Sequence, residues 1–519
     1  MSNESGNGRN GRAAGRPRGN EPRRNDQGRQ RNRGGSTPRR YSEAAPSSRK
    51  RAADPARLAA FEVLRAVSAD DAYANLVLPA RIRAHRLDTR DAGFATELAY
   101  GALRGQGLYD AVLARCVDRD LARLDAAVLD VLRLGTHQLL AMRVPNHAAL
   151  DETVALTRAE IGAGPSGLVN AVLRKVSARS LDEWTDELTA GVADETARTS
   201  LRHSHPEWIV RALRQALVAH GRGTDELELL LDADNAAPIV NLVALPGLGD
   251  LAPVVERGAG PGSLVAGSAL YDGGDPARLP GVAEGTVRVQ DAGSQLVARA
   301  LAEHPLEGRD ERWLDLCAGP GGKAALLAAL AAQRGARLTA NEIAPHRAQL
   351  VRNALAAVPD TAWEVEVGDG RRFAGIEDGY DRIMLDAPCS GLGALRRRPE
   401  SRWRKQPSDI PDLTALQQEL VDAAVAALRP GGLLAYVTCS PHPAETTAVV
   451  LDTLSRHRGL RLLDSGAALD AAALHPVDAA TPVLGRRGEV LAGATTAQLW
   501  PHRHATDAMF LALFQRVEG

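Results

Sequence analysis

The stretch RWLDLCAGPGGKAALLAALAAQRGARLTANEI, residues 312–343, contains a strand, a turn, a helix and a second strand in sequence. A short apolar run leads into the glycine-rich turn CAGPGG. An alanine- and leucine-rich segment of helical length follows, and RLTANEI is again strand-like. Because parallel neighbouring strands need a crossover that is usually a helix, this order predicts one unit of a doubly wound α/β domain.

The same alternation continues through residues 291–519. Three further apolar runs, WEVEVGD, DRIMLDAP and GLLAYVTCS, are strand candidates, and PHRAQLVRNALAAV is a helix candidate between them. We therefore predict a mainly parallel, doubly wound sheet. Ligands of such sheets bind at the carboxyl ends of the strands, so the candidate functional residues are those that end each run.

Acidic residues stand at four of these strand ends. They are Asp315, Glu342, Asp369 and Asp386. A carboxylate after the second strand can accept both hydroxyls of a ribose, and one after the third strand can accept from an adenine amino group. Each acid alone could equally be a helix cap. The four together predict a site for a nucleoside cofactor.

The glycine-rich turn narrows the choice of cofactor. Its glycines allow a ligand to approach the backbone at a helix N-terminus. Their spacing does not match GxGxxG, and a phosphate-binding loop is excluded because Cys317 and Ala324 replace its required Gly and Ser/Thr. A nucleoside without a buried pyrophosphate fits best, and S-adenosylmethionine is the candidate. Lys323 is one of only four lysines beside 59 arginines, which suggests a need for a compact ammonium group.

The chain has four cysteines, at positions 116, 317, 389 and 439, and no two of them have metal-ligand or redox-motif spacing. A chain of 519 residues can bury large cores without disulfides, so we expect free thiols in a cytoplasmic protein. Cys389 in LDAPCSGLG and Cys439 in YVTCSPHPAE end neighbouring predicted strands. One buried cysteine can be a small hydrophobic residue, but two at matched strand ends indicate nucleophilic chemistry.

A thiol beside a methyl donor has a specific use. Carbon 5 of a pyrimidine is a poor nucleophile while the ring is aromatic, and addition of sulfur at carbon 6 makes carbon 5 enamine-like. Methyl transfer, loss of the carbon 5 proton and elimination of the cysteine complete the reaction, which is covalent catalysis. Methylation of an amino nitrogen would need no cysteine.

The remaining chain divides into three segments. Residues 1–52 carry a net charge of +10, against −11 for the rest, and have almost no apolar residues, so we expect a disordered basic tail. It could hold nucleic acid phosphates weakly or simply be solvated. Residues 53–180 have the periodicity of an all-helical domain. Residues 181–290 mix a helical pattern with short apolar runs and predict a small α/β connector.

Two resemblances join these segments. LDLCAGPGGK, NEIAPHR, VGDGRRF, LDAPCSGLG and VTCSPHPAE resemble, in this order, the motifs of the RNA cytosine carbon-5 methyltransferases of the RsmB/Sun/Nop family. RDAGFATELAYGALRG, DETVALTRAEIG and GLVNAVLRKV resemble the NusB family of RNA-binding helical domains, although a helical interaction module without RNA is an alternative. The resemblance implies a Rossmann-like class I methyltransferase domain with S-adenosylmethionine as cofactor and 16S ribosomal RNA as substrate.

The resemblance also implies residue roles. Cys439 is the expected nucleophile, Cys389 assists product release, and Asp386 and Lys323 complete the catalytic group. Gly319 stands where many members of the family have alanine, and we expect the turn to tolerate the glycine. The residues expected to contact the cofactor come from the turn and three strand ends: Cys317, Ala318, Gly319, Pro320, Gly321, Gly322, Lys323, Glu342, Arg347, Asp369 and Asp386.

The segment RRRPESRWRK, residues 396–405, predicts RNA contacts, because arginines pair with phosphates and tryptophan stacks on bases. The expected contacts are Arg396, Arg397, Arg398, Arg402, Trp403 and Arg404, with a solvated basic loop as the alternative. The HxH of LWPHRHATDAMF has no accompanying acids or cysteines, so we expect no metal. No apolar run reaches the length of a membrane span, and we expect a monomer without membrane contact.

Three alternatives stay open from sequence. The same chemistry could act on another RNA such as tRNA. A DNA cytosine methyltransferase also uses a Pro-Cys nucleophile, although the TCS cysteine and the NusB-like segment argue against it. A non-catalytic RNA-binding assembly factor would keep the basic segments but would not need two thiols beside a cofactor turn.

Overall fold

The computed structural model describes residues 52–376, 379–484 and 489–517, so the predicted basic tail lies outside the described residues apart from Ala52. The first part of the described chain is helical. Its α-helices are α1 (Pro55–Asp70), α2 (Ala74–Ala84), α3 (Thr89–Arg104), α4 (Gln106–Cys116), α5 (Ala126–Leu140), α6 (Asn146–Glu160), α7 (Ala163–Val176), α8 (Leu181–Thr189), α9 (Glu195–His203), α10 (Glu207–Ala219) and α11 (Leu227–Asn235).

Local sequence explains where these helices begin. The Asp54 carboxylate accepts a hydrogen bond from the Arg57 backbone N–H at 2.9 Å, which caps α1, and Ser180 forms a capping box with Glu183 at the start of α8. Trp184 of α8 is buried in the same apolar core as α1 to α7. Three further helices, α9 to α11, follow α8 as far as Asn235.

A small antiparallel sheet follows the helices. It has four strands in the order β2-β3-β1-β4, and the short helix α12 (Ala252–Val255) lies between the first two in sequence. The strands are β1 (Val240–Ala244), β2 (Gly260–Pro261), β3 (Ser268–Tyr271) and β4 (Val287–Val289).

The C-terminal part is the predicted doubly wound domain, and this fold prediction is confirmed. Its sheet has the order β11-β12-β13-β9-β8-β5-β6-β7, with β10 paired to β13. The elements are α13 (Ala292–Glu303), β5 (Arg312–Asp315), α14 (Gly322–Gln333), β6 (Arg337–Glu342), α15 (Pro345–Leu355), β7 (Trp363–Val367), β8 (Tyr380–Asp386), α16 (Ser401–Arg404), α17 (Asp409–Ala427), β9 (Leu428–Thr438), α18 (Thr447–Arg456), β10 (Leu460–Leu462), α19 (Ser465–Ala472), β11 (Ala480–Leu484), β12 (Val490–Gln498), α20 (Pro501–His504) and β13 (Phe510–Arg516).

The pairing directions decide where the functional residues meet. Strands β7, β6, β5, β8 and β9 are mutually parallel, so their carboxyl ends share one edge, whereas β13 runs antiparallel to β9. Strand β8 is buried on both faces, and its apolar part is Ile383, Met384 and Leu385. Within the described ranges, no helix is both long enough and apolar enough to cross a membrane.

The basic segment 396–405 departs from its prediction. Arg396 is 6% exposed and forms ion pairs of 2.9 Å with Asp291 and Asp507, and Arg397 pairs with the same two acids. Arg402 is fully buried. A guanidinium enclosed in this way cannot reach an RNA phosphate, so the predicted RNA contacts of Arg396 and Arg402 are corrected to internal contacts.

The other members of the segment also face the protein, with one exception. Arg404 donates to the carbonyls of Val67 and Ala72 at 2.8 and 2.7 Å. The Trp403 ring packs so closely on α4 that a Cβ added to Gly107 would lie 2.6 Å from it. Arg398 is exposed. Most of the segment therefore connects the doubly wound domain to the helices.

Arg402 is the centre of this connection. Its guanidinium donates to the carbonyls of Arg104, Ser204 and Asp234 and to the Asn235 side chain, at 2.8 to 3.3 Å. These acceptors stand at the carboxyl ends of α3, α9 and α11. Helix carboxyl ends carry partial negative charge and unpaired carbonyls, so one cation stabilises three helix ends together.

We predict that Arg402→Met lowers the free energy of unfolding by about 3 kcal/mol or more, because it leaves buried carbonyls without donors. Denaturant unfolding would measure the change, with Arg83→Met, at an exposed position of α2, as the matched control. Equal stability of the two variants would contradict a structural role for Arg402.

Candidate active site

Two thiols lie in contact at the carboxyl edge of the sheet. Cys389 follows β8 and Cys439 follows β9, and their sulfur atoms are 3.4 Å apart. The strands pair in register with Asp386 opposite Val437, and the Gly393 N–H donates to the Cys439 carbonyl at 2.8 Å. A Cβ on Gly393 would lie 2.8 Å from that carbonyl oxygen and 2.3 Å from the Ala508 carbonyl oxygen, so only glycine fits there.

The two thiols have different acidities. A hydrogen bond from the Cys389 thiol lowers the pKa of Cys439 although burial opposes the shift, and the positive charges of Lys323 and Arg398 act in the same direction. The same hydrogen bond, together with burial, raises the pKa of Cys389 well above its ordinary value. Burial and the Asp386 charge oppose the lowering, and of the two thiols Cys439 is the one that loses its proton more readily, as a nucleophilic thiol does.

A lysine–aspartate pair lies beside the thiols. The Lys323 ammonium donates to Asp386 at 2.9 Å. Burial opposes the charge of Lys323, but the Asp386 carboxylate outweighs it and raises the pKa of the lysine, so the ammonium stays protonated. The structure thus brings four predicted residues together: Cys439, Cys389, Asp386 and Lys323.

The end of β6 holds the glycine turn in place. Glu342 is 3% exposed, and its carboxylate accepts from the Gly319 N–H at 3.1 Å and the Ala344 N–H at 3.0 Å. Arg347 donates to the Gly319 carbonyl at 2.9 Å. A Cβ on Gly319 would lie 2.1 Å from a Glu342 oxygen, so an alanine there would require the Glu342 side chain to shift.

The turn itself requires a second glycine. Gly321 has φ of +107°, and a Cβ there would lie 2.5 Å from the Cβ of Ala354 on α15. The helix α14 begins at the next residue, with its free N–H groups directed toward the turn. Beside it, burial raises the pKa of the Cys317 thiol, so this third cysteine stays neutral.

Asp315 is a buried acid at the end of β5. It is 1% exposed, and no side chain in the described part of the chain donates to its carboxylate. Burial raises its pKa to about 7, and the negative charge of Asp386 adds to this shift. A buried carboxylate that no side chain pairs with is suited to a positively charged ligand.

Asp369 is the least enclosed of the four strand-end acids. It caps a 3₁₀ turn by accepting from the Arg371 N–H at 2.9 Å, and the Arg371 guanidinium also pairs with it. That hydrogen bonding lowers the pKa of Asp369. The acid is therefore ionised and accessible, as a contact to an adenine amino group would require.

Glu445 was not among the predicted site residues. This carboxylate is fully buried and accepts hydrogen bonds from Ser390 and Ser440, the residues that follow Cys389 and Cys439. The repeated Cys-Ser pair was the available signal, since both serines follow a strand-end cysteine. Their common partner is visible only in three dimensions.

The HxH motif has other partners. His502 contacts Glu226 at 2.7 Å, and His504 contacts the Trp500 N–H and the Val477 carbonyl. Among the described residues, no group of three His, Cys, Asp or Glu could hold a metal ion.

Three features define a class I, S-adenosylmethionine-dependent methyltransferase. They are the parallel strand order, the glycine turn, and the acids Asp315 and Glu342 that end β5 and β6. The family model for 16S rRNA methyltransferase RsmB/F matches residues 303–515, and the NusB family model matches residues 54–178. The chain belongs to the RsmB/F methyltransferase family, and both predicted resemblances are confirmed.

Individual proteins agree with this assignment. The chain is 48% identical over 473 residues to putative methyltransferase Rv1407 of Mycobacterium tuberculosis, covering 90% of this chain and 98% of that protein. It is 36% identical over 418 residues to ribosomal RNA small subunit methyltransferase B of Pseudomonas putida, covering 79% and 91%. The crystal structure of PH0851 has the same fold, with a TM-score of 0.72 at 22% identity over 90% of this chain and 99% of that one.

The charges of the site fit S-adenosylmethionine. The buried Asp315 carboxylate suits the cationic methionine end, and the accessible Asp369 suits the adenine. Glu342 would accept from the ribose hydroxyls when the cofactor is bound, and its carboxylate also holds the turn through the Gly319 N–H. When bound, S-adenosylmethionine supplies an electrophilic methyl group.

We predict that Asp315→Asn stabilises the cofactor-free protein more at pH 8 than at pH 5. The folded pKa of about 7 exceeds the unfolded value of about 4, so the cost of ionising the buried acid grows as pH rises between them. The gain at pH 8 should be roughly 1 to 4 kcal/mol, while cofactor affinity should fall.

Thermal unfolding at the two pH values and calorimetric titration with S-adenosylmethionine would measure both effects. The matched control is Asp360→Asn, at an exposed position. A stability gain that is the same at both pH values would show that the pKa of Asp315 is not raised in the folded protein.

Proposed function

We propose that the chain transfers a methyl group from S-adenosylmethionine to carbon 5 of a cytidine in 16S ribosomal RNA through a covalent cysteine adduct. The observation that carries the proposal is the contact of two thiols, 3.4 Å apart, with the Lys323–Asp386 pair beside them. Methylation of nitrogen or oxygen would not use a nucleophilic thiol. Thiol addition to carbon 6 would use one, because it activates carbon 5 of the ring.

The residues divide the reaction between them. Cys439, whose pKa is lowered, is the group that adds to carbon 6 of the cytosine. Asp386, which the Lys323 ammonium orients, would accept a hydrogen bond from the amino group of the cytosine and hold the ring beside the thiol. A base takes the carbon 5 proton, the carbon 6–sulfur bond breaks, and the protonated Cys389 assists by donating to the departing Cys439 sulfur, which it contacts.

Two observations support a ribosomal substrate. The family model is described as a 16S rRNA methyltransferase, and the similar Pseudomonas protein is named for the small ribosomal subunit. A DNA-type mechanism would make the Pro-Cys thiol the nucleophile, but here Cys389 has the raised pKa of the pair. A tRNA substrate would leave the catalytic geometry unchanged.

Nucleoside mass spectrometry decides the chemistry and the substrate together. Ribosomal RNA from a strain that lacks the gene should lose one 5-methylcytidine, and the purified protein should restore it on deproteinised 16S RNA. If the protein forms 5-methylcytidine on tRNA but not on 16S RNA, the substrate is tRNA and the chemistry is the same. The loss of a methylated nucleoside other than 5-methylcytidine would overturn the covalent mechanism.

We predict opposite effects for the two cysteine variants. Cys439→Ala should abolish turnover and form no covalent species, because nothing adds to carbon 6. Cys389→Ala should still add and methylate but stall before elimination, so that an RNA adduct resistant to denaturing electrophoresis accumulates. Adduct formation by Cys389→Ala should rise with pH, and its apparent pKa should be higher than that of Cys439 alkylation in the unchanged protein, because the variant lacks the hydrogen bond that lowers the Cys439 pKa.

Cys116→Ala, a buried cysteine in the helical part, is the matched control for both variants. Adduct in Cys439→Ala and none in Cys389→Ala would reverse the two roles. Normal turnover by both variants would exclude covalent catalysis.

The exposed Arg398 is the remaining candidate for an RNA contact in the basic segment. Its guanidinium lies 5.1 Å from the centre of the Tyr73 ring, and its charge lowers the pKa of Cys439, so it stands at the rim of the thiol site. An arginine at this position can pair with a phosphate beside the target nucleotide.

We predict that Arg398→Gln weakens RNA binding and reduces the slope of log affinity against log salt by about one. The pKa of Cys439 should rise in the same variant, which the pH profile of thiol alkylation would show. Arg458→Gln, at another exposed position, is the control. An unchanged salt slope would remove Arg398 from the RNA interface.

A further inference from the structure

Glu445 has the most saturated carboxylate near the site. One oxygen accepts from the Ser390 N–H at 2.8 Å and the Gln417 side chain at 3.2 Å. The other accepts from the hydroxyls of Ser390 and Ser440 at 2.5 and 2.6 Å. The side chain is fully buried. Hydrogen bonds to a buried carboxylate are among the strongest in proteins, so this group resists displacement.

The donors belong to both cysteine loops. Ser390 directly follows Cys389 and Ser440 directly follows Cys439, and the two serine oxygens are 3.0 Å apart. Gln417 also donates to the carbonyl of Pro388, on the other side of Cys389. One carboxylate therefore connects the two backbone segments that carry the reactive sulfurs.

Glu445 is itself fixed to the sheet. Its backbone carbonyl accepts from the Tyr436 hydroxyl at 2.7 Å, and its N–H donates to the His442 carbonyl at 2.9 Å. Tyr436 lies within β9 and is fully buried. The position of the carboxylate is thus set by the same strand that ends at Cys439.

We propose that Glu445 is a positioning residue that holds the Cys389 and Cys439 sulfurs in contact. The catalytic meaning of this role rests on the proposed function, whereas the thiol geometry does not. Without the carboxylate, four donors lose their acceptor and the two loops lose their common anchor. Preorganised contact matters because a small displacement of a reacting group costs a large factor in rate.

The two serines hold different thiols, and the consequences differ. Ser390 is held through both its N–H and its hydroxyl, so its loss should loosen the Cys389 loop and slow elimination. Ser440 is held through its hydroxyl, so its loss should loosen Cys439 and slow addition. Ser390→Ala should therefore accumulate the RNA adduct, and Ser440→Ala should form it more slowly.

A test without RNA or cofactor uses phenylarsine oxide. The arsenic–oxygen bond breaks, two arsenic–sulfur bonds form, and the two thiol protons leave with the oxygen as water. Tight capture requires both sulfurs, so Cys389→Ala gives the one-thiol baseline. We expect Glu445→Ala to bind the reagent about tenfold more weakly than the unchanged protein, a loss of the order of one charged hydrogen bond.

Conservative and structural controls separate positioning from general damage. Glu445→Gln keeps the shape and several of the hydrogen bonds and should recover most of the capture. Thr453→Ala removes a buried hydroxyl of α18 and should leave capture unchanged. If Glu445→Ala does not fold, the Ser390→Ala/Ser440→Ala double variant removes the same hydroxyl contacts and carries the same expectation.

The outcomes distinguish this inference from the proposed function. A folded Glu445→Ala, or the double variant in its place, that captures the arsenical as tightly as the unchanged protein would overturn the positioning role. Weakened capture, with no RNA adduct in either cysteine variant, would retain the positioning role and overturn the covalent mechanism. With adduct chemistry present, Ser390→Ala should raise the trapped fraction about threefold over Thr453→Ala, and an equal trapped fraction would count against the role of Ser390.

Discussion

Parallel pairing of β8 with β9 places Asp386 opposite Val437, so that both strands end at the same edge of the sheet. Cys389 comes three residues after Asp386, and Cys439 comes two residues after Val437. A shift of this register by one residue would turn every side chain of one strand to the other face. The register is secure because the carboxyl halves of both strands are apolar and buried, and both strands are central in the sheet. Contact of the Cys389 and Cys439 sulfurs, and the acidity of Cys439 that depends on it, follow from this pairing.

The same edge concentrates charge that the fold alone would not favour. Asp315 is buried with its pKa raised to about 7, and the Lys323 ammonium and the Cys317 N–H offset this shift only in part. Such an acid destabilises the folded state at neutral pH, whereas a bound cation would reverse this penalty. The site therefore gives up stability for complementarity to a positively charged ligand, which is typical of functional rather than structural carboxylates.

The sequence was informative where the signal is local. The five predicted strands, the glycine turn and the two strand-end cysteines could be found because apolar runs, glycines and terminal polar residues lie next to one another in the chain. Strand β13 was not predicted, since its apolar sequence gives no sign that it lies antiparallel beside β9. The basic segment was misassigned for a related reason. Arg396 is neutralised by Asp291 and Asp507. Both acids are more than 100 residues away from it in sequence, and charge patterning along the chain cannot reveal them.

Those buried arginines give the helical part a physical connection to the thiols. From Cys439, the contact runs through the Gly393 N–H to the loop that leads to Arg402, and from there to the ends of α3, α9 and α11. Gly393 leaves no room for a side chain and Arg402 is fully buried, so both ends of this connection are closely packed. Docking of the helices and placement of Cys439 are therefore parts of one packed arrangement. The helices help to position Cys439. A substrate that binds their surface would therefore contact a part of the protein that is coupled to the thiol site.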